Sequence, residues 1–166
     1  LNPIMTIGAQ ISESYKRHFG YGAGVARKYG LEMLDAVHID DPNLMWNSYP
    51  RELSGGMAQR AMIAMILACE PELLIADEPT SALDVLARQA VLETLNELVR
   101  LRDMGLLFIS HDLGLISQFC DRVVVVKDGT DVETLSANTL GESKHPYTKT
   151  LVNAWPRALS ARHERI

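Results

Sequence analysis

The sequence predicts an α/β fold with a parallel sheet. After a first helix, residues 51–127 alternate apolar strand segments with amphipathic helical segments, in the order strand, helix, strand, helix, strand. Strands and helices that alternate in this way are typically joined by right-handed crossovers, so the strands pair in parallel. The strand segments are apolar throughout rather than at every second residue, which favours a sheet covered on both faces.

Each element of this region has its own signal. The first helix carries apolar residues at helical spacing over residues 58–69, and Pro71 ends it. A longer helix with one apolar face follows the first strand, and a short helix that reaches Phe119 follows the second. The predicted strands are three apolar runs at residues 73–76, 106–109 and 123–126. Asp128 and Gly129 after the last run predict a tight turn.

The first 50 residues are predicted to be mainly helical. Residues at the spacing of one helix face are Ile4, Ile7, Ile11 and Tyr15. Four glycines between residues 20 and 30 predict looser or looped chain there.

Composition and charge narrow the class of protein. The chain has 166 residues with 47% apolar and 22% charged residues, as is ordinary for a globular domain. Its formal net charge is −5 and it has no long run of Lys or Arg, so a nucleic-acid partner or a polybasic membrane patch gains no support. No apolar run is long enough to span a bilayer, so a membrane role would need a partner. Cys69 and Cys120 lack zinc spacing and are expected to be buried, reduced thiols.

Polar residues follow two of the predicted strands. Asp77 and Glu78 come after the first strand, and Ser110 and His111 come after the second. Functional groups of parallel sheets collect beyond the carboxyl ends of the strands, so these residues are expected to converge if the strands are neighbours. One carboxylate would suit a hydrated Mg²⁺, and the other could orient or deprotonate a water. Taken alone, the acidic pair is more simply explained as a solvated turn after a strand.

A second candidate site precedes the helix that begins near residue 55. Ser54 is a good N-cap, and Gly55 and Gly56 leave the following backbone amides uncovered by side chains. Amides at a helix N-terminus, together with the helix dipole, attract anions and most naturally a phosphate. The same three residues could also form an ordinary flexible loop.

Four segments together resemble the motifs of ATP-binding-cassette (ABC) ATPases. Residues 53–57 are similar to the signature motif, 73–80 to Walker B, 81–84 to the D-loop and 109–112 to the switch or H-loop. They occur in the order and approximate spacing of that family, and the resemblance covers nearly the whole chain. It implies a partial P-loop NTPase (RecA-like) parallel sheet with an ABC-type helical subdomain.

The resemblance also implies roles for particular residues. Asp77 would hold the Mg²⁺ of MgATP through water, Glu78 would be the general base or orient the attacking water, and His111 would contact the γ-phosphate. Asp84 would couple the two nucleotide sites of a dimer. The residues that would contact the γ-phosphate of ATP bound to the partner subunit are Ser54, Gly55 and Gly56.

Two features resemble the dipeptide, oligopeptide and nickel importer subfamily. Met57 replaces the Gln that is usual in the signature, and His-Pro-Tyr-Thr occurs at residues 145–148. That subfamily implies an ATPase on the cytoplasmic face of the inner or plasma membrane. Its partners would be a second ABC ATPase subunit, transmembrane permease subunits and, indirectly, a substrate-binding protein, with no nucleic acid.

The resemblance divides the chain into three regions. Residues 1–70 would be the helical subdomain ending in the signature helix. Residues 71–130 would be the C-terminal part of the ATPase core. Residues 131–166 would form a C-terminal tail, in which the sequence assigns no role to Trp155.

The chain also departs from the family pattern. No GxxxxGK[ST] occurs in it, and the glycine-rich residues 20–28 have the wrong spacing. The chain is therefore expected to lack the family's N-terminal Walker A portion and to be inactive alone. Asp131 and Leu135 interrupt the apolar strand that usually follows the turn at Gly129. The alternatives are a non-hydrolysing module that lends its signature motif to a partner ATPase, and a soluble non-transport ABC protein.

Overall fold

The computed structural model describes residues 1–81 and 83–155. The helices are α1 (Ile7–Phe19), α2 (Ala23–Ala36), α3 (Pro42–Asn47), α4 (Gly55–Leu67), α5 (Val85–Leu101), α6 (Leu113–Phe119) and α7 (Pro146–Ala154). The strands are β1 (Leu73–Asp77), β2 (Gly105–Ile109), β3 (Arg122–Lys127) and β4 (Thr130–Ser136). The chain forms two compact units, one of residues 1–107 and one from Phe108 onward.

The first unit is built by helices α1 to α5 around one apolar core. Its most deeply buried side chains include Ile7, Ile11, Leu34, Met45, Leu67 and Val91. Helix α1 begins later than the apolar spacing predicts, because Thr6 caps it: the Thr6 hydroxyl accepts from the backbone N–H of Ala9 at 3.2 Å. Ile4 therefore lies outside the helix with 82% of its surface exposed, and its prediction as part of that helix face was wrong.

Two of the glycines predicted to loosen the chain lie inside α2 instead. Gly24 and Gly30 are both helical, and Gly30 is buried. The indole of Trp46 occupies the space beside Gly30, and it also lies against Gly8 of α1. A methyl group at either glycine would overlap this ring, so both residues serve packing rather than flexibility.

Replacing Gly30 with alanine is therefore expected to destabilise the protein. The added Cβ would overlap Trp46 and lie 2.9 Å from Cγ2 of Ile11, and overpacking of this kind typically costs about 1–3 kcal/mol. Gly24→Ala is the matched control, since nothing lies within 4 Å of its added Cβ and alanine favours a helix by about 1 kcal/mol. Urea unfolding measures both variants. Equal stability of the two would contradict this account of Gly30.

The parallel sheet has β1 and β2 as neighbours, as the crossover through α5 predicts. Only one face of β1 is buried: Leu74 and Ala76 are in the core, whereas Leu73 and Ile75 are 55% and 59% exposed. The prediction from the continuous apolar runs, that both faces of the strand are covered, is therefore wrong for β1. The apolar character of β1 reflects one core face and one exposed apolar face.

The third predicted strand, β3, pairs with β4 and not with β1 or β2 within the described residues. The β3–β4 pair is antiparallel, and the turn at Asp128 and Gly129 takes positive φ at both residues, as predicted. Leu135 lies opposite Val123. The register shifts between Val125 and Val126, whose partners are Glu133 and Asp131, so β4 has one extra residue, Val132, at a bulge. Strand β4 thus continues through the segment that the sequence predicted to be interrupted.

The second unit has a small apolar core of its own, formed by Ile116, Val123, Val125, Ala137 and Leu140. Cys120 lies at its edge, and Cys69 belongs to the first unit. Both thiols are free and only partly buried, and burial raises the pKa of each. They are therefore less buried than the sequence predicts.

Candidate functional site

The carboxyl end of β1 presents the predicted acidic pair. Asp77 is the last residue of the strand and is exposed, and Glu78 directly follows it. A turn then holds the chain in place: the backbone carbonyl of Glu78 accepts from the backbone N–H of Ser81 at 3.3 Å and from its hydroxyl at 3.1 Å. Thr80 inside the turn is buried. The strand and the turn together fix where the Glu78 backbone lies.

Glu78 has a positive φ of 44°, which is uncommon for a residue with a side chain. The other non-glycine residues with positive φ in the described chain follow helices or occupy the hairpin turn: His38, Glu70, Asp103 and Asp128. Glu78 alone among them follows a strand of the parallel sheet. Backbone strain of this kind, worth about 1–3 kcal/mol, is often found at functional residues, so the conformation of Glu78 is compatible with a functional role as well as with a turn.

The N-terminus of α4 has the geometry predicted for residues 54–56. Ser54 is the N-cap, and its hydroxyl accepts from the backbone N–H of Met57 at 3.3 Å. Gly55 and Gly56 open the helix, and Ser54 and Gly55 are exposed. The other end of α4 is held by Arg102, whose guanidinium donates to the carbonyl of Leu67 at 3.3 Å. The start of α4 is thus ordered rather than a flexible loop.

Helices α4 and α5 begin side by side. A Cβ on Gly55 would lie 3.2 Å from Leu83, and a Cβ on Gly56 would lie 3.4 Å from Ala87. Asp84, between these two partners, is the exposed N-cap of α5. The structure therefore brings the predicted signature and D-loop residues together at one place on the first unit.

The carboxylate of Asp84 also has a purely structural use. Its Oδ1 accepts from the backbone N–H of Ala87 at 2.9 Å, so it stabilises the first turn of α5. A cap alone would explain an aspartate here. The cap does not explain why Gly55 and Gly56 of α4 lie beside this aspartate.

His111 belongs to the second unit, in the segment between β2 and α6. Its neighbours on both sides are fixed: the Ser110 hydroxyl accepts from the backbone N–H of Asp112 at 3.1 Å, and Asp112 caps α6. Oδ1 of Asp112 accepts from Gly114 at 2.9 Å and from Leu115 at 3.3 Å. The His111 side chain is exposed on this ordered segment. The imidazole of His111 is thus presented by a segment whose backbone is held on both sides.

The His-Pro-Tyr-Thr segment begins α7. Nδ1 of His145 accepts from the backbone N–H of Tyr147 at 3.2 Å, Pro146 is the first helical residue, and Lys127 of β3 lies over the Tyr147 ring at 5.2 Å. Thr148 is buried. The motif therefore caps a helix and attaches it to the β3–β4 pair.

Glu133 of β4 completes this attachment, and the sequence analysis missed it. Its carboxylate accepts from the backbone N–H of Lys144 at 2.7 Å and of His145 at 3.3 Å. The nearby Thr148 hydroxyl, followed by the backbone N–H of Lys144, lowers the pKa of Glu133. No local pattern could reveal this, since Glu133 and its partners are more than ten residues apart and are joined only through the fold.

We expect Glu133→Gln to lower the thermal stability of the protein in a pH-dependent way. Because the folded-state pKa lies below the ordinary value of 4.5, the stabilisation is present above the unfolded pKa and is lost as pH falls through the folded pKa. Melting followed by circular dichroism should separate the variant from wild type at neutral pH and converge in acid. Glu142→Gln, at an exposed carboxylate of the same unit, is the control. A difference that persists unchanged in acid would contradict the assignment.

Metal-binding capacity at the site is limited. The described residues contain no group of three or more His, Cys, Asp or Glu that could hold a metal ion. Asp77 is a single exposed carboxylate, and such a ligand suits Mg²⁺, which keeps several of its waters. The residues present therefore fit a magnesium ion delivered with a phosphate ligand better than a resident metal.

Comparison with known proteins finds matches among ATP-binding proteins of ABC transporters. A family model described as ABC transporter matches residues 6–81. The chain is 45% identical over 167 residues to a probable peptide ABC transporter ATP-binding protein, y4tR, of Sinorhizobium fredii, covering 100% of this chain and 50% of the relative. It is 44% identical over 157 residues to the dipeptide transport ATP-binding protein DppD of Escherichia coli, covering 94% and 48%. The chain thus spans about half the length of these curated relatives.

Solved structures share the fold. The ATP-binding cassette MJ0796, dimeric and bound to ADP and Pi, matches with a TM-score of 0.70 and 27% identity, covering 83% of this chain and 59% of that one. An inward-facing putative metal-chelate type ABC transporter matches with a TM-score of 0.74 at 21% identity, over 84% and 56%, and this likeness concerns the fold alone.

The fold is that of a P-loop NTPase of the ABC cassette type. The chain carries a match to the ABC transporter domain, and it is similar at about 45% identity to proteins named as peptide and dipeptide import ATP-binding proteins.

Proposed function

We propose that this chain is the part of an ABC importer ATPase that carries the signature motif, Walker B, the D-loop and the H-loop. The complete subunit would couple ATP hydrolysis to the import of a small solute. The observation that carries the proposal is the adjacent start of α4 and α5, where Gly55 and Gly56 lie against Leu83 and Ala87 beside Asp84. A helix N-terminus suited to binding a phosphate lies there next to the predicted D-loop.

In the proposed reaction, Asp77 would hold the Mg²⁺ of MgATP through water, and the ion would offset the charge of the phosphates. Glu78 takes the proton of the attacking water or orients that water, and His111 contacts the γ-phosphate. The ordered turn after β1 and the capped segment around His111 support these roles, because phosphoryl transfer depends on positioning and on charge stabilisation.

The nucleotide facing α4 would belong to a second ABC ATPase subunit. The residues proposed to contact its γ-phosphate are Ser54, Gly55 and Gly56. Asp84, next to them, would transmit the state of one site to the other. The exposure of this surface and the dimeric state of the cassette MJ0796 support a dimer.

The proposed location is the cytoplasmic face of the inner or plasma membrane, through permease subunits. No helix among the described residues is long and apolar enough to cross a bilayer. The names of the relatives favour a peptide as the solute. A substrate-binding protein would deliver it to the permease subunits.

The test of the proposal begins with the isolated chain. We expect it to bind MgATP only weakly and not to hydrolyse it, because it has no GxxxxGK[ST] to hold the β- and γ-phosphates. Asp77 can recruit Mg²⁺, but its own charge repels the triphosphate. Calorimetric titration with MgATP measures the binding, and phosphate release measures turnover.

Addition of a separate fragment that carries a P-loop should raise both solubility and ATPase activity. Micromolar one-to-one binding by the chain alone, abolished by Asp77→Ala, would contradict the predicted weak binding. Restored binding without any turnover would instead favour the non-hydrolysing module.

A further inference from the structure

Trp155, which the sequence leaves without a role, lies against the first turn of α6. A Cβ on Gly114 would be 3.5 Å from Nε1 and 3.8 Å from Cζ2 of its indole. Gly114 is the second residue of α6, three residues after His111. We propose that Trp155 is a positioning residue for His111, and that α7 sets the place of the switch segment 110–112.

Helix α7 can act in this way because both of its ends are attached within the second unit. The carboxylate of Glu133 holds the N-terminal end through Lys144 and His145. Near the other end, Leu151 and Val152 pack against the apolar core of the unit. The backbone N–H of Trp155 also bonds to the carbonyls of these two residues, at 3.1 and 3.2 Å. The indole is therefore carried by an anchored helix rather than by a loose tail.

The contact reaches His111 through Asp112. The space around Gly114 is narrow, since an added Cβ would be 3.0 Å from Oδ1 of Asp112 as well as close to Trp155. Oδ1 of Asp112 caps α6, and the backbone N–H of Asp112 donates to the Ser110 hydroxyl. A shift of α6 toward the space of a lost indole would move Asp112. Because His111 is joined directly to Asp112, its imidazole would move too.

The inference rests on the proposed function, in which His111 contacts the γ-phosphate. We expect Trp155→Ala in the full-length subunit to lower kcat by roughly 10-fold, since misplacement by about 1 Å can cost up to ~10²-fold. KM for ATP should change little, because the groups that hold the rest of the nucleotide are not affected. Trp155→Phe keeps an aromatic ring in the same place and should restore most of the turnover.

Two controls separate positioning from general loss of structure. Val152→Ala removes packing of the same helix against the apolar core of the unit but leaves the indole in place, and it should lower the melting temperature without lowering kcat. Asn153→Ala, at an exposed residue beside it, should change neither. Turnover is compared at a temperature at which circular dichroism shows every variant folded.

A double-mutant cycle decides the inference. His111→Ala should slow turnover more than Trp155→Ala does, and adding Trp155→Ala to His111→Ala should cost nothing further, because the group being positioned is gone. An equal loss from Trp155→Ala in both backgrounds would overturn the inference. The inference would also be overturned if His111→Ala lowered turnover while Trp155→Ala alone kept the wild-type kcat. Wild-type turnover in His111→Ala is a different result, and it would remove the proposed role of His111 itself.

Discussion

Replacing Glu78 with glutamine in the full-length subunit is expected to abolish steady-state ATP turnover while leaving ATP binding intact. Glutamine keeps the size of the side chain but cannot accept a proton, and general acid–base catalysis typically contributes about 10²–10⁴-fold. Binding should survive because the turn after β1 uses the backbone carbonyl of Glu78, which the substitution does not alter. Phosphate release measures turnover, and nucleotide titration measures binding.

Glu72→Gln is the matched control for this experiment. Glu72 is an exposed carboxylate just before the other end of β1, and its backbone carbonyl accepts from Gly105 at 2.8 Å. Its replacement should leave turnover unchanged. Phosphate release by Glu78→Gln within a few-fold of wild type would remove Glu78 from the proposed chemistry.

Ser54→Arg is expected to stop hydrolysis in a dimer without preventing the mutated subunit from binding its own nucleotide. A long charged side chain at the start of α4 would fill the space through which the partner's phosphate must approach Gly55 and Gly56. Ser54→Ala serves as the control for side-chain bulk, since it removes the bond to Met57 and the proposed hydroxyl contact but fills no space, and loss of an N-cap typically costs about 1 kcal/mol. It should retain clearly more activity than Ser54→Arg.

A mixed dimer locates the damage caused by Ser54→Arg. Only one subunit carries the substitution, and we expect hydrolysis to fail at the site on the wild-type subunit, which the mutated signature would complete. Nucleotide crosslinking to each subunit would report binding separately. Loss of binding on the mutated subunit, with the wild-type site intact, would contradict the proposed arrangement across the dimer.

Local signals predicted the part of the site that local forces build. The Ser54 cap, the start of α4 and the end of β1 each follow from residues next to one another, so the sequence predicts them closely: the strand is predicted to end at residue 76, and β1 ends at Asp77. The close approach of Gly55 to Leu83 depends on how α4 packs on α5, and residue spacing along the chain does not predict it.

Long-range packing explains what the sequence analysis missed. The low helix propensity of glycine predicts a break at Gly30. A glycine is needed there because the ring of Trp46, sixteen residues away, occupies the space of a side chain. Glu133 looks like a surface residue of a polar strand until α7 returns to it. Ile4 fits the spacing of α1, but the cap at Thr6 starts the helix after it.

The close contact of Trp46 with Gly8 and Gly30 also restricts how this sequence can change over time. Because one ring fills the space beside two glycines, none of the three residues can be exchanged independently. A larger residue at 8 or 30 becomes acceptable only after the ring at 46 has been replaced by something smaller, and that intermediate must first survive the cavity it leaves. Among descendants of this chain, positions 8, 30 and 46 should therefore vary together or not at all.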